Sequence, residues 1–305
     1  MSPARVETEV DGRRLSLSNL GKMLYPACGY TKAAVLDYYA RIAEAMLPHV
    51  KDRPVTFRRF PDGVDGKSFV EKHVPSHAPE WVQTVKVPSS DNGRGRGGTG
   101  EEVEYAIVAD RPTLIWAANL AAIEFHVPLW HAGRRGPIPG RPDHLVFDLD
   151  PGPGTSIVEC SRIALWISSR VGGSGREPVA KTSGSKGLQV YVKLPARTDW
   201  DTARERALQA AQAIEQDHPE LVVTNMTKTL RKGRVLIDWS QNHPAKTTVA
   251  VYSLRGGSNP FASTPVTWDE VQDCERSGDP ARLRFTPAEV LGRIDRLGDL
   301  FAPLA

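Results

Sequence analysis

The chain has 305 residues, 40% of them hydrophobic and 25% charged, with a formal net charge of +3. That supplies enough apolar chain for a core in one large domain or two small ones, and it reads as soluble and globular. No apolar run is long enough to span a bilayer, and the first residues, M-S-P-A-R-V-E-T-E-V, lack a signal peptide's apolar segment, so the expectation is a cytoplasmic protein with no membrane partner. Cys28, Cys160 and Cys274 are odd in number, far apart and without C-x-x-C spacing, which argues against a disulfide framework or a zinc knuckle.

In chain order, Arg13 to Leu17 fits an edge strand, followed by a loop N-L-G-K-M-L-Y-P that holds Lys22. Thr31 fits an N-cap, and Val35, Leu36, Tyr39, Ile42, Ala43, Met46 and Leu47 recur at helical spacing as far as Pro48. Pro54–Phe60 and Phe69–Val74 read as a hairpin closed by P-D-G-V-D-G, with Arg58 and Arg59 near the end of its first strand. Val85–Val87 and Val103–Val108 read as a second strand pair around D-N-G-R-G-R-G-G-T-G. The two arginines of that segment suit either a phosphate backbone or a plain hairpin tip. Helical spacing over Pro112–Ala122 leads into E-F-H-V-P-L-W with His126. A loop near 131–141 is the natural boundary between an N-terminal part (about 1–135) and a C-terminal part (about 136–305) that share one cleft.

Leu145, Val146 and Phe147 form a buried strand that delivers Asp148 and Asp150 before Pro151 and Gly152 force a turn. Alternation points the two carboxylates the same way, a pattern that suits a divalent cation such as Mg²⁺ or Mn²⁺. It also suits a strand-end turn in which both acids are merely solvated or cap a helix. Ile157–Val171 reads as a helix. Next comes K-T-S-G-S-K-G-L-Q-V-Y-V-K-L, a small-residue turn running into a strand. Its glycines let backbone N–H groups approach a triphosphate and Lys186 adds a point charge, although a tight turn with a solvated lysine explains the pattern equally.

Asp199 fits the cap of a helix from Thr202 to about Gln216, and Thr286 with Pro287 opens a last helix through Leu291, Ile294 and Leu297. Between them Val235–Ile237 is a second apolar run ending in an acid, Asp238. If its strand neighbours the first, three carboxylates form a site for two metal ions about 3.5–4 Å apart, a geometry made for phosphoryl transfer. From Lys228 to Arg255 the bases Lys228, Arg231, Lys232, Arg234, Lys246 and Arg255 stand against Asp238 alone, a run suited to a polyanion.

D-H-L-V-F-D-L-D-P-G, T-S-G-S-K-G-L, V-L-I-D-W-S-Q-N and K-T-T-V-A-V-Y-S-L-R-G, in this order and spacing, resemble the polymerase domain of bacterial LigD-type end-joining proteins, of the archaeo-eukaryotic primase superfamily. The likeness runs from about Leu15 to near Leu300. It implies an α+β primase-like core of largely antiparallel or mixed sheets flanked by helices, one domain over 1–305, with the catalytic cleft between its two parts. It implies a template-dependent polymerase, favouring ribonucleotides, that fills gaps and extends ends in break repair by non-homologous end joining. Asp148, Asp150 and Asp238 match the metal-binding catalytic carboxylates, for two ions of Mn²⁺ or Mg²⁺. His126, Ser183, Gly184, Lys186, Gln189, Lys246 and Arg255 match the nucleotide-binding region. Lys22 and Lys32 match lysines that grip the 5′-phosphate of a gapped duplex, and Arg58, Arg59 and Phe69 match the template region. The implied partners are DNA ends, nucleoside triphosphates, Ku and a separate DNA ligase, at the nucleoid.

Two positions depart from the pattern: Gln189 stands where many relatives have histidine, and Phe69 is followed by Val70 rather than a second phenylalanine. Gln189 is expected to hydrogen-bond a phosphate without adding charge. The chain carries no K-x-D-G motif, so nick sealing by it alone is not expected. A different class reads F-D-L-D-P-G as the aspartyl-phosphate motif of a haloacid-dehalogenase-type phosphatase, with Asp148 as nucleophile and Asp150 as acid, on a parallel sheet with a later acidic pair. Trp239 after Asp238 opposes that. A non-enzymatic alternative is a DNA-end-binding module whose catalytic site has decayed.

Overall fold

A computed structural model describes residues 5–89, 102–133, 138–173 and 177–305. The two arginines of D-N-G-R-G-R-G-G-T-G, considered above as phosphate contacts, lie outside the described residues. The chain begins with a hairpin, β1 (Arg5–Val10) and β2 (Arg13–Ser18), and a short ribbon, β3 (Met23–Tyr25) and β4 (Tyr30–Thr31). Helix α1 (Lys32–Val50) starts where expected, with Thr31 Oγ1 accepting from the Ala34 N–H at 3.3 Å. It continues through Pro48 instead of stopping there. A proline this near the end forgoes one N–H bond, and the buried His49 and Val50 hold the final turn in place.

The first sheet runs β15–β9–β5–β8–β7, with β6 also on β5, and its named pairs are antiparallel. Its strands are β5 (Pro54–Arg59), β6 (Phe69–Glu71), β7 (Gln83–Pro88), β8 (Glu102–Ile107), β9 (Ala122–Val127) and β15 (Thr248–Val249). β5 and β6 form the expected hairpin. Edge-to-face rings, Tyr39 with Phe125 at 4.9 Å and Phe57 with Phe125 at 5.4 Å, tie α1 to this sheet. Helix α2 (Arg111–Asn119) is shorter than its apolar spacing suggests: Ala121, at φ 59°, turns the chain, and Ala122 already belongs to β9.

The second sheet has the order β13–β14–β10–β12–β11–β16. Its strands are β10 (His144–Pro151), β11 (Val179–Thr182), β12 (Leu188–Lys193), β13 (Val222–Val223), β14 (Val235–Asp238) and β16 (Pro265–Val266). All pairings are antiparallel except β13 with β14. Helices α3 (Ile157–Val171) and α4 (Trp200–Asp217) contact β10, and α3 also contacts β12. Helices α5 (Trp268–Ser277) and α6 (Pro287–Leu297) follow near the C-terminus. The architecture is α+β, as expected. S-G-S-K-G proves to be the turn of a hairpin, because Val179–Thr182, not anticipated as a strand, pairs with β12. A phosphatase of the haloacid-dehalogenase type needs its first aspartate on a parallel sheet. β10 is antiparallel to both neighbours, so that alternative is set aside.

β15 joins the two sheets. Lys181 on β11 donates to the Val249 carbonyl at 3.0 Å, and Tyr191 on β12 bonds Thr248 Oγ1 at 3.1 Å. The second sheet therefore has helices against one face and part of the first sheet over the other. Among the described residues no helix is long and apolar enough to cross a membrane.

Candidate active site

Antiparallel register sets Asp148 directly opposite Asp238, while Asp150, two residues on, lies on the same face. Across the other edge of β10, Asp148 faces Gln189 of β12, which in turn faces Lys181 of β11. Asp238, Asp148, Gln189 and Lys181 thus form one row across four strands. The intervening Leu149, Ile237 and Leu188 point to the opposite face and are fully buried.

The row concentrates negative charge at one end. Partial burial first, and then the Asp150 charge, push the Asp148 carboxyl well above its ordinary range, with Asp238 adding to the effect and the Gln189 hydrogen bond opposing it. Asp150 moves the same way through desolvation and the Asp238 charge, against the pull of Arg231 and Arg255. Crowded oxygen donors with surplus negative charge are the chemistry a hard divalent cation neutralises. The ligand sphere is not closed, however. Asp238 Oδ1 accepts from Ser240 N at 2.9 Å and Ser240 Oγ at 2.6 Å, and Oδ2 accepts from Gln241 Nε2 at 3.0 Å. Among the described residues no three His, Cys, Asp or Glu side chains gather at metal-holding distance.

The first sheet and the segment that follows β15 supply the basic side chains, and a residue that sequence reasoning passed over organises them. Glu124 of β9 is 1% exposed. Its Oε2 lies 2.9 Å from His126 Nε2 and 3.4 Å from Arg255 Nε, and its Oε1 accepts from Gly256 N at 2.9 Å and lies 3.4 Å from Arg58 Nη1. Burial alone would raise this carboxyl, but His126, Arg255 and the Gly256 N–H bring it down to about 2. Arg255 also donates to the Ser183 carbonyl at 3.0 Å, which joins β9 to the S-G-S-K-G turn. The alternation in E-F-H, which puts Glu124 and His126 on one face, was the available signal.

In that turn, Ser183 Oγ accepts from Ser185 N at 3.3 Å and Gly187 N at 3.0 Å, so these N–H groups close the hairpin. The glycines answer to space: Gly184 has φ +68° with backbone 2.7 Å from any added Cβ, and a Cβ on Gly187 would meet the Leu149 carbonyl at 2.1 Å. Lys186 is exposed at the tip. Gln189 is 3% exposed, and its amide bonds Asp148, Lys181 and Tyr191. Lys181, likewise unanticipated, is lowered to about 7 by burial, with Asp148 opposing. Gly152 N donates to the Arg234 carbonyl at 2.9 Å, which brings the basic stretch against the turn that follows Asp150.

Lys246 is exposed and lines a cavity of about 410 Å³ with Thr56, Tyr105, Trp130 and Gln241. Lys22 pairs with Asp62 at 2.9 Å, and the buried Lys32 donates to the Ser18 carbonyl at 2.6 Å. Lys32 is lowered to about 8 by burial, then by Lys22 and Arg59. Arg58 and Arg59 part company because strand neighbours face opposite ways. Arg58 reaches Glu124, whereas Arg59 binds Glu71 at 2.9 and 3.1 Å and sits 5.2 Å over the half-exposed ring of Phe69.

Comparison with known proteins agrees with this geometry. The family described as "LigD, primase-polymerase domain" matches residues 31–301. The chain is 43% identical over 293 residues to the multifunctional non-homologous end joining protein LigD of Mycolicibacterium smegmatis, covering 95% of this chain and 36% of that protein. It is 29% identical over 286 residues to the bifunctional non-homologous end joining protein LigD of Bacillus subtilis, covering 93% of this chain and 43% of the relative. The chain therefore spans well under half the length of these relatives. A solved structure, the polymerase domain from Mycobacterium tuberculosis ligase D in complex with DNA, superposes with a TM-score of 0.85 at 40% identity, over 95% of this chain and 98% of that one.

Proposed function

The chain belongs to the LigD primase-polymerase domain family, and from that premise we propose that it is a template-dependent nucleotidyltransferase that fills gaps and extends ends in double-strand break repair by non-homologous end joining. The observation that carries the reading is the pairing of Asp148 with Asp238, Asp150 beside them, on a face opposite a group of basic side chains built on Glu124. Side chains from both sheets converge there, which supports treating residues 1–305 as one primase-like unit.

Asp148, Asp150 and Asp238 would hold two ions of Mg²⁺ or Mn²⁺, which when bound supply Lewis-acid activation of a primer 3′-hydroxyl and charge stabilisation of pyrophosphate. His126 and Arg255, fixed by Glu124, orient the triphosphate, with Ser183, Lys186 and Lys246 completing its anion site. Gly184 keeps the turn in the shape that presents Lys186. Lys22 and Lys32 receive the 5′-phosphate across a gap, where a compact ammonium suits a terminal dianion. Phe69, braced by Arg59, offers a stacking surface to the template. The proposed partners are gapped or broken DNA, nucleoside triphosphates, Ku and a separate ligase at the nucleoid.

Extension of a gapped, 5′-phosphorylated duplex with Mg²⁺ or Mn²⁺, comparing ribo- with deoxynucleotides, tests this. Templated addition, faster with ribonucleotides, is expected. A folded protein that binds the gap but adds nothing with either metal is the decayed end-binding module instead.

A further inference from the structure

Lys181 is 1% exposed and Gln189 3%, and the polar atoms of both are paired within the protein. Lys181 Nζ donates to Gln189 Oε1 at 2.5 Å, Ser263 Oγ at 2.8 Å and the Val249 carbonyl at 3.0 Å. Three N–H bonds meet three acceptors, the complement of an ammonium group. Tyr191 OH stands 3.1 Å from the same Gln189 Oε1. With donors on both sides of that oxygen the amide has one orientation, and Nε2 is left to donate to Asp148 Oδ1 at 2.9 Å.

We propose that Lys181, acting through the Gln189 amide, is a positioning residue that fixes the Asp148 carboxylate for nucleotidyl transfer. This rests on the polymerase reading of the site. The register makes the arrangement possible, since Lys181, Gln189 and Asp148 are direct cross-strand partners on β11, β12 and β10. The lysine polarises the amide from one end and the amide holds the carboxylate at the other, so Asp148 is oriented by a residue that never enters the cleft. Leucine at 189 keeps the volume and removes both bonds. Histidine keeps them, because one ring nitrogen accepts from Lys181 while the other donates to Asp148.

The test compares Gln189→Leu, Gln189→His, Lys181→Met and the Lys181→Met/Gln189→Leu double variant, each checked for a cooperative thermal melt. Gap extension gives kcat and nucleotide KM, and the electron paramagnetic resonance signal of free Mn²⁺ gives ion binding by the nucleotide-free protein. Gln189→Leu and Lys181→Met are each expected to lower kcat and Mn²⁺ affinity by about 10- to 100-fold with KM little changed. The double variant is expected to be no worse than either, and Gln189→His to recover most of the loss. A rise in KM with kcat retained, which would put Gln189 on the phosphates, overturns the proposal, as do losses that multiply in the double variant. If Lys181→Met does not melt cooperatively, the leucine and histidine variants decide alone. If wild-type protein adds no nucleotide with either metal, the polymerase reading fails, and Mn²⁺ binding by Gln189→Leu against wild type still decides whether the amide prepares Asp148.

Discussion

Among the described residues Glu124 is the one carboxylate that His126, Arg255 and Arg58 share. Its carboxyl falls from 4.5 to about 2 on folding. A depressed carboxylate stabilises the fold above its unfolded pKa, and that contribution, about 3 kcal/mol, is lost as pH drops from about 4.5 towards 2. Glu124→Gln should remove most of it, flattening the acid limb of stability in urea unfolding across that range, and should raise nucleotide KM as the cations loosen. An acid limb identical to wild type would show that Glu124 does not clamp them. Lys32 gives a second test. Its pKa of about 8 leaves it charged below that pH and neutral above. Preference for a 5′-phosphorylated over an unphosphorylated gap should therefore weaken as pH rises past about 8, whereas Lys32→Arg, charged throughout, should show a flat profile. A flat wild-type profile would remove Lys32 from the phosphate site.

At the scale of elements, helix ends and strand pairings carry the argument. Thr267 and Glu270 form a capping box on α5, and Glu270 also holds Arg293 of α6 through both guanidinium nitrogens, so one start signal anchors two helices. Thr267→Ala should cost about 1 kcal/mol in a thermal melt and leave nucleotide addition intact. That helix escaped the sequence reading because only Val271 and Cys274 of its ten residues are buried, too few for a visible apolar stripe. β11 escaped because it is four residues long and contains a lysine. The strands bearing Asp148 and Asp238 were legible as apolar runs that end in acids, and the register bears out their expected adjacency. Partnerships across strands leave no trace in local pattern, which is why the bonds of Gln189 to Asp148 and Lys181 and the approach of Arg58 to Glu124 were not legible in the sequence.

For the whole molecule, Asp143 is the joint between the two sheets. Its carboxylate binds Arg53, the residue before β5, His131 at 2.8 Å and His144 at 3.0 Å, while His144 Nε2 lies 2.8 Å from the Leu304 carbonyl near the C-terminus. Burial opposes ionisation there, but these partners hold the carboxyl far below its usual range. His49 and Asp299, 2.7 Å apart, make a second link between α1 and the C-terminal segment. Both walls of the cleft are thereby braced before any ligand arrives, so the basic side chains around Glu124 and the carboxylates of the second sheet can serve one reaction. The most direct test of that claim is single-nucleotide addition to a gapped duplex by wild type, Asp148→Ala and Asp238→Ala, with DNA binding followed by fluorescence anisotropy on the same samples. Either substitution should cut addition by about 10²-fold or more while DNA affinity stays at the wild-type level. Addition by Asp238→Ala at the wild-type rate would contradict the account.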